Sequence, residues 1–143
     1  SEEMTKRLLK DGIDIEKLTG RYPNVKQTII IDLYYSLPAQ LKKQEGIEID
    51  MSKYDAELLS RLNDNLITKE SLPEIIKHLA KGKDVDYLDF RPLTIDDIKE
   101  DIKRIISDNK GAPMGAIIGK VMRKYKGKVN GKELSEYVKG VMG

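Results

Sequence analysis

Apolar residues recur at helical spacing along most of this chain. Between Asn24 and Gly46 they lie three or four positions apart, on one face of a helix. The residues on that face are Ile29, Ile30, Leu33, Leu37 and Leu41. We therefore predict one long helix that Gly46 ends. Pro38 removes a backbone donor inside it, so we expect a kink or break there.

Shorter helices are predicted on both sides of this segment. Residues 3 to 11 form a helix that Gly12 stops, and Asp14 caps a second one that Gly20 ends. A further helix spans residues 54 to 62.

The next helix carries Leu72 to Leu79, and we expect Thr68 or Ser71 to cap it and Gly82 to end it. Acidic residues and Pro92 then break the helical pattern. We accordingly predict a helical domain over residues 1–83 and a linker over residues 84–93.

Three helices are predicted after the linker. Thr94 opens the first with a capping arrangement, and apolar residues through Ile106 follow it at helical spacing. The second runs from about Pro113 to Tyr125 and the third from about Gly131 to Met142. The fold class is all-α: a helical domain followed by a small three-helix tail bundle over residues 94–143.

The amino-acid composition excludes several kinds of functional site. The chain has no cysteine, which excludes disulfides, thiolate metal sites and a cysteine nucleophile. Its single histidine, His78, cannot support a multi-histidine metal site and is predicted to be structural. No apolar run approaches the roughly 18 residues of a membrane helix. We expect a soluble, cytoplasmic protein with no membrane partner.

Charge is distributed unevenly along the chain. The net charge is +2, but from Lys110 onward eight basic residues face two acidic ones, and the preceding residues carry −4. This asymmetry predicts an anionic partner for the C-terminal segment.

The stretch GAPMGAIIGKVM, residues 111–122, raises the question of a phosphate-binding loop. Such a loop needs a glycine five positions before Gly119 and a hydroxyl after Lys120, where this chain has Met114 and Val121. An amphipathic helix accounts for more of the residues. Its predicted buried face comprises Met114, Ile117, Ile118, Val121, Met122 and Tyr125.

Gly115 and Gly119 lie one turn apart on a flank of this helix. Each costs about 1 kcal/mol relative to alanine, so the pair requires a reason. Close packing of another helix is one reason, and close approach of a sugar-phosphate backbone is the other. The loop that follows is rich in lysine and reaches the N-terminus of the last helix, where anions are also favoured.

Clustered aspartates offer a weaker candidate site. Asp96 and Asp97, or Asp84, Asp86 and Asp89, could be imagined as metal ligands. Helix capping and solvation of the linker explain them better. We predict no metal ligand and no catalytic residue in this chain.

The C-terminal segment PMGAIIGKVMRKYKGKVNGKELSEYVK resembles the signature of the GatB/YqeY tail domain. The matching positions are Gly115, Gly119, Val121, Met122, Gly127, Lys128, Asn130, Gly131 and Lys132. Upstream, NLITKESLPEIIKHLAKGKDVD is similar to the helix that precedes the tail in the GatE family of archaeal glutamyl-tRNA(Gln) amidotransferases. The resemblance covers about residues 65–143.

This resemblance implies a C-terminal, tRNA-binding part of a kinase-type amidotransferase subunit. Such subunits phosphorylate glutamate misacylated on tRNA(Gln) with ATP and magnesium, and ammonia from a glutaminase partner completes the amide. The chain is too short for that catalytic core, so we expect no cofactor here. The expected tRNA-binding residues are Gly115, Gly119, Lys120, Arg123, Lys124, Lys126, Gly127, Lys128 and Lys132.

Other interpretations remain open from the residues alone. A free-standing YqeY-like protein would have a similar length. A helical protein-interaction module could dock its basic end onto an acidic protein. An independent enzyme is less well supported, because the sequence offers no nucleophile–base pair.

Overall fold

The computed structural model describes residues 2–126 and 128–143, and these residues confirm the all-α prediction. Short 3₁₀ turns at Met51–Lys53, Lys69–Ser71 and Tyr87–Phe90 connect some of the helices. In chain order the α-helices are α1 (Glu2–Lys10), α2 (Ile15–Arg21), α3 (Gln27–Ile31), α4 (Leu37–Glu45), α5 (Asp55–Asn63), α6 (Leu72–Ala80), α7 (Ile95–Asp108), α8 (Met114–Lys124) and α9 (Gly131–Met142).

The predicted long helix is interrupted by a π-helical turn instead of a break. Residues Asp32–Ser36 join α3 to α4, and the Leu37 N–H donates to the Asp32 carbonyl, five residues earlier. Pro38 follows directly, and its ring would collide with the carbonyl four residues before it in a regular helix. Widening the turn relieves this conflict while the chain stays helical. Gly46 ends α4 at φ 65°, as expected of a left-handed cap.

Side-chain caps begin two helices at the predicted residues. Asp14 accepts from the Lys17 N–H at 3.2 Å, and Thr94 forms a reciprocal capping box with Asp97. The predicted end of α2 at Gly20 is wrong, because the helix continues through Arg21.

The start of α6 also differs from the prediction. Neither the Thr68 nor the Ser71 side chain accepts a capping hydrogen bond from the backbone there. Their hydroxyls instead lie 2.6 Å apart, and the 3₁₀ turn between them leads directly into the helix.

Helices α1 to α6 surround one hydrophobic cluster, which we call the first cluster. Its fully buried members are Leu8, Ile30, Leu33, Leu58, Leu59, Ile67, Leu72, Ile75 and Ile76. Phe90, from the predicted linker, is also buried in this cluster. The residues between α6 and α7 therefore contribute to the core.

Helices α7, α8 and α9 pack around a second cluster, which comprises Ile98, Ile102, Ile117, Val121, Val129, Leu134 and Val138. The predicted three helices after residue 93 thus share a core. The segment before α7 meets the segment before α9 through a hydrogen bond from the Leu93 N–H to the Lys128 carbonyl, 2.8 Å long. No helix among the described residues is long and apolar enough to cross a membrane.

Candidate nucleic-acid interface

One face of α8 packs into the second cluster. Ile117 and Val121 are fully buried, and Ile118, Met122 and Tyr125 are partly buried beside them. The predicted buried face is therefore correct except at Met114, which is exposed. Met114 is the first residue of the helix and does not belong to the second cluster. Gly119 and Lys120 lie inside α8, so they form no phosphate-binding loop.

The two glycines of α8 lie on a flank that the other described helices leave uncovered, although Gly119 is half-buried beside the Arg123 side chain. A Cβ added to Gly115 would meet no atom within 4 Å, and one added to Gly119 would meet only Arg123 Nη1 at 3.4 Å. Close packing of another helix among the described residues therefore does not explain them. The surface beside them can be approached closely from outside.

Three predicted cations are exposed on the helices of the second cluster. Lys120 and Arg123 are exposed on α8, and Lys132 is exposed in the first turn of α9. Among the residues that the structure describes, none of the three makes a salt bridge. Their charges are therefore available to an external anion.

Lys124 is held differently, because α7 supplies it with a carboxylate. Asp101 Oδ2 accepts from Lys124 Nζ at 2.5 Å and from the Tyr125 hydroxyl at 2.5 Å, and Arg104 pairs with the other carboxylate oxygen. The hydrogen bond from Lys124, with that from Tyr125, lowers the pKa of Asp101 to about 2. Burial and the bond to Asp101 raise the pKa of Tyr125 to about 12. Lys124 thus ties α8 to α7.

The remaining predicted lysines face the first cluster. Lys126 Nζ lies 3.9 Å from Glu74 Oε1, and Lys128 Nζ lies 5.9 Å from the centroid of the Phe90 ring. Gly127, between them, falls outside the described residues. The predicted residues are therefore not one patch, because these lysines lie at the junction of the two clusters while the α8 set points outward.

Two lysines that the sequence did not indicate also lie at this junction. Lys26, just before α3, and Lys69, just before α6, line a groove of 540 Å³ together with Lys128 and Lys132. No run of basic residues surrounds either of them in the sequence. Only the packing of the two clusters brings the four together.

Two of the five carboxylates considered as metal ligands have structural partners. Asp97 closes the α7 capping box, and Asp86 accepts from the Leu88 N–H at 3.1 Å. In residues 2–126 and 128–143, no group of three or more potential ligand side chains could hold a metal ion. His78 Nδ1 lies 2.7 Å from the Glu74 carbonyl of its own helix, and its ring contacts Phe90 edge-on.

Comparison with known families identifies this architecture. The GatB domain family, GatB/YqeY, matches residues 2–142. The chain belongs to this family. The match begins well before residue 65, where the sequence resemblance starts, so both hydrophobic clusters lie within it.

Similar proteins are GatE subunits of glutamyl-tRNA(Gln) amidotransferases. The chain is 28% identical over 116 residues to GatE of Pyrobaculum aerophilum, covering 80% of this chain and 19% of that protein. It is 28% identical over 157 residues to GatE of Saccharolobus solfataricus, covering 97% of this chain and 24% of that protein. No solved structure gave a significant match. The chain spans about a fifth to a quarter of these relatives.

Proposed function

We propose that this chain is the tRNA-binding, C-terminal region of a glutamyl-tRNA(Gln) amidotransferase subunit. It positions and selects misacylated tRNA, and a catalytic core in another part of the parent protein carries out the ATP-dependent transamidation with a glutaminase partner. Membership of the GatB/YqeY family and the names of its relatives support this proposal.

The uncovered flank of α8 is the observation that carries the proposal. Lys120 and Arg123 are exposed without a carboxylate partner in the described part of the chain, and at Gly115, near the start of the same helix, an added Cβ would meet open space. A phosphate group needs cations, and a bulky sugar-phosphate strand needs room to approach them. The flank supplies both on one helix that a buried face holds in place.

In this proposal the chain binds the tRNA, and the catalytic core of the parent protein carries out the reaction. The described residues do not fit a nucleotide–magnesium site, since Gly119 and Lys120 are helical and Asp97 and Asp86 already bond backbone N–H groups. ATP and magnesium accordingly belong to the core in this proposal. The +6 charge after residue 109 attracts the tRNA toward the tail.

Charge reversal tests the α8 surface. The double variant Lys120→Glu, Arg123→Glu should bind a tRNA(Gln) transcript at least about tenfold more weakly in fluorescence anisotropy, because two phosphate contacts become repulsive. The slope of log affinity against log salt should also fall in magnitude by about 1.5, since each contact contributes about 0.7 to 0.9.

A matched control separates this effect from net charge. Lys6→Glu, Lys10→Glu places the same charge change on α1, where both lysines are exposed. It should leave the affinity within about twofold of the parent. Equal losses in the two double variants, or no loss in the α8 variant with its helical circular dichroism unchanged, would show that the proposed surface is wrong.

A further inference from the structure

A continuous groove follows the junction of the two hydrophobic clusters. It consists of two adjoining hollows, of 540 and 790 Å³, that share Asn65, Pro92 and Asn130 as lining residues. We call it the junction groove. Its two halves differ in chemistry.

The smaller hollow is the basic half. Lys26, Lys69, Lys128 and Lys132 line it, with Glu70 as the one carboxylate among its described lining residues. None of the four lysines makes a salt bridge within the described part of the chain. Since these cations come from both clusters and converge on one channel, the basic half suits a polyanion that lies along it.

The larger hollow is the more apolar of the two, and we call it the apolar half, although Arg61, Arg91, Asp86 and Glu133 also line it. Leu88 is 76% exposed and Leu66 is 50% exposed there, although large aliphatic side chains are usually buried. The Tyr87 ring lies beside them, with the Arg61 guanidinium 3.8 Å from its centroid. A stacked arginine and tyrosine next to uncovered leucines form a surface on which a planar, weakly polar group can lie.

We propose that the junction groove binds an unpaired stretch of the RNA, with phosphates along the basic half and a base against Leu88 and Tyr87. This inference rests on the proposed tRNA-binding function and adds a second, base-contacting site to the α8 surface. Only single-stranded nucleotides can use both halves, because a duplex keeps its bases stacked inside. The Asn65 amide and the Asn130 NH₂ group, whose own Oδ1 caps α9, line both halves and can bond polar edges of a base.

An acidic protein segment with an apolar side chain is the competing occupant. It would satisfy the lysines and the leucines, and its carboxylates could also pair with Arg61, but it offers no planar base to lie against the Tyr87 ring. Substitutions in the apolar half distinguish the two occupants: they should lower the affinity for RNA only if RNA occupies the groove.

Substitution of the exposed leucines tests the base contact. Leu88→Ser should weaken binding of the full chain to a tRNA transcript about three- to tenfold, because an apolar contact with a base is lost. The salt slope should stay unchanged, since no phosphate contact is removed. Affinity for a blunt-ended RNA duplex should also stay unchanged. Leu66→Ser is a second variant with the same expectation, and both side chains are exposed enough for the fold to tolerate serine.

Two further variants complete the experiment. Leu9→Ser removes an exposed leucine on α1 that does not line the groove, and it should bind tRNA as the parent does. Lys26→Gln, Lys69→Gln should lower the magnitude of the salt slope by about 1.5, which reports phosphates in the basic half.

The outcomes separate this inference from the proposed function. If Leu88→Ser and Leu66→Ser bind tRNA like the parent, the groove does not hold a base, whereas the α8 surface still stands on its own charge-reversal result. If both leucine variants lose tRNA and duplex binding equally, base contact is likewise refuted. If the parent fails to bind tRNA, the proposed function itself is overturned.

Discussion

Replacing Asp101 by asparagine should loosen the packing of α7 against α8. The carboxylate is 17% exposed and is shared by Lys124, Tyr125 and Arg104. Asparagine has nearly the same size, so it removes the charge while it leaves the shape of the contact in place. The Tyr125 hydroxyl can still donate to the amide oxygen.

The magnitude follows from the environment of the carboxylate. Folding lowers the pKa of Asp101 to about 2, which corresponds to at most about 2.5 kcal/mol of stabilisation. Lys124 is 46% exposed, so solvent screens its attraction and reduces that figure. We expect Asp101→Asn to lower the free energy of unfolding by about 1 to 1.5 kcal/mol at pH 7, measured by urea denaturation.

The pH dependence provides an independent measurement of the same contact. Because the pKa is lower in the folded chain, the ionised form stabilises the fold above about pH 4 and loses this effect as the pH falls through about 2. The stability difference between parent and variant should therefore shrink over that interval.

Glu100→Gln is the matched control for this experiment. Glu100 lies on the same helix, is 85% exposed and reaches Lys103 at 3.7 Å, so its loss should cost under about 0.5 kcal/mol. If Asp101→Asn is no less stable than Glu100→Gln at pH 7, the reasoning about the Asp101 contact is refuted. A difference that persists undiminished at pH 2 would refute the electrostatic explanation.

Four further substitutions test other features of the structure. Gly115→Ala should raise the free energy of unfolding by about 0.5 to 1 kcal/mol in urea denaturation, since its Cβ meets open space. The same substitution should weaken tRNA binding severalfold. An unchanged affinity would show that Gly115 is not part of the contact surface. Thr94→Ala deletes the side-chain acceptor of the α7 capping box and should cost about 1 kcal/mol; no loss would show that the box contributes nothing. Ile102→Ala should lower the free energy of unfolding by about 2 to 4 kcal/mol because the side chain is fully buried. Met114 is exposed, so Met114→Ala should lower it by under about 1 kcal/mol. Equal losses of stability would contradict the packing described for these two residues.

Helix positions in this chain follow from local chemistry. Thr94 and Asp97 are three residues apart, and Asn130 precedes Glu133 by three, so each cap is formed within one turn. The last helix accordingly spans the predicted residues, Gly131–Met142. Gly20 shows the limit of such signals, because the helix continues one residue past it.

Contacts between distant residues could not be predicted from the pattern. In the sequence Lys124 is one cation in a basic run, but Asp101 on the neighbouring helix α7 neutralises it. Met114 matches the apolar spacing of α8, yet it is the first residue of the helix and is 40% exposed. Burial and pairing depend on which surfaces meet, and spacing along one helix carries no information about its neighbour.

The order of residues alone was enough to establish that this chain is helical, which residues begin several of its helices, and that its C-terminal end is basic. It also contained the glycine and lysine pattern that marks the GatB/YqeY family. The packing of the helices decides which cations lack a partner among the described residues and leaves Gly115 uncovered there. It also brings Lys26 and Lys69 together with Lys128 and Lys132 in one groove. The physical reason is range: caps and helical periodicity act within a few residues, whereas a binding surface is assembled from side chains that folding brings together from distant parts of the chain.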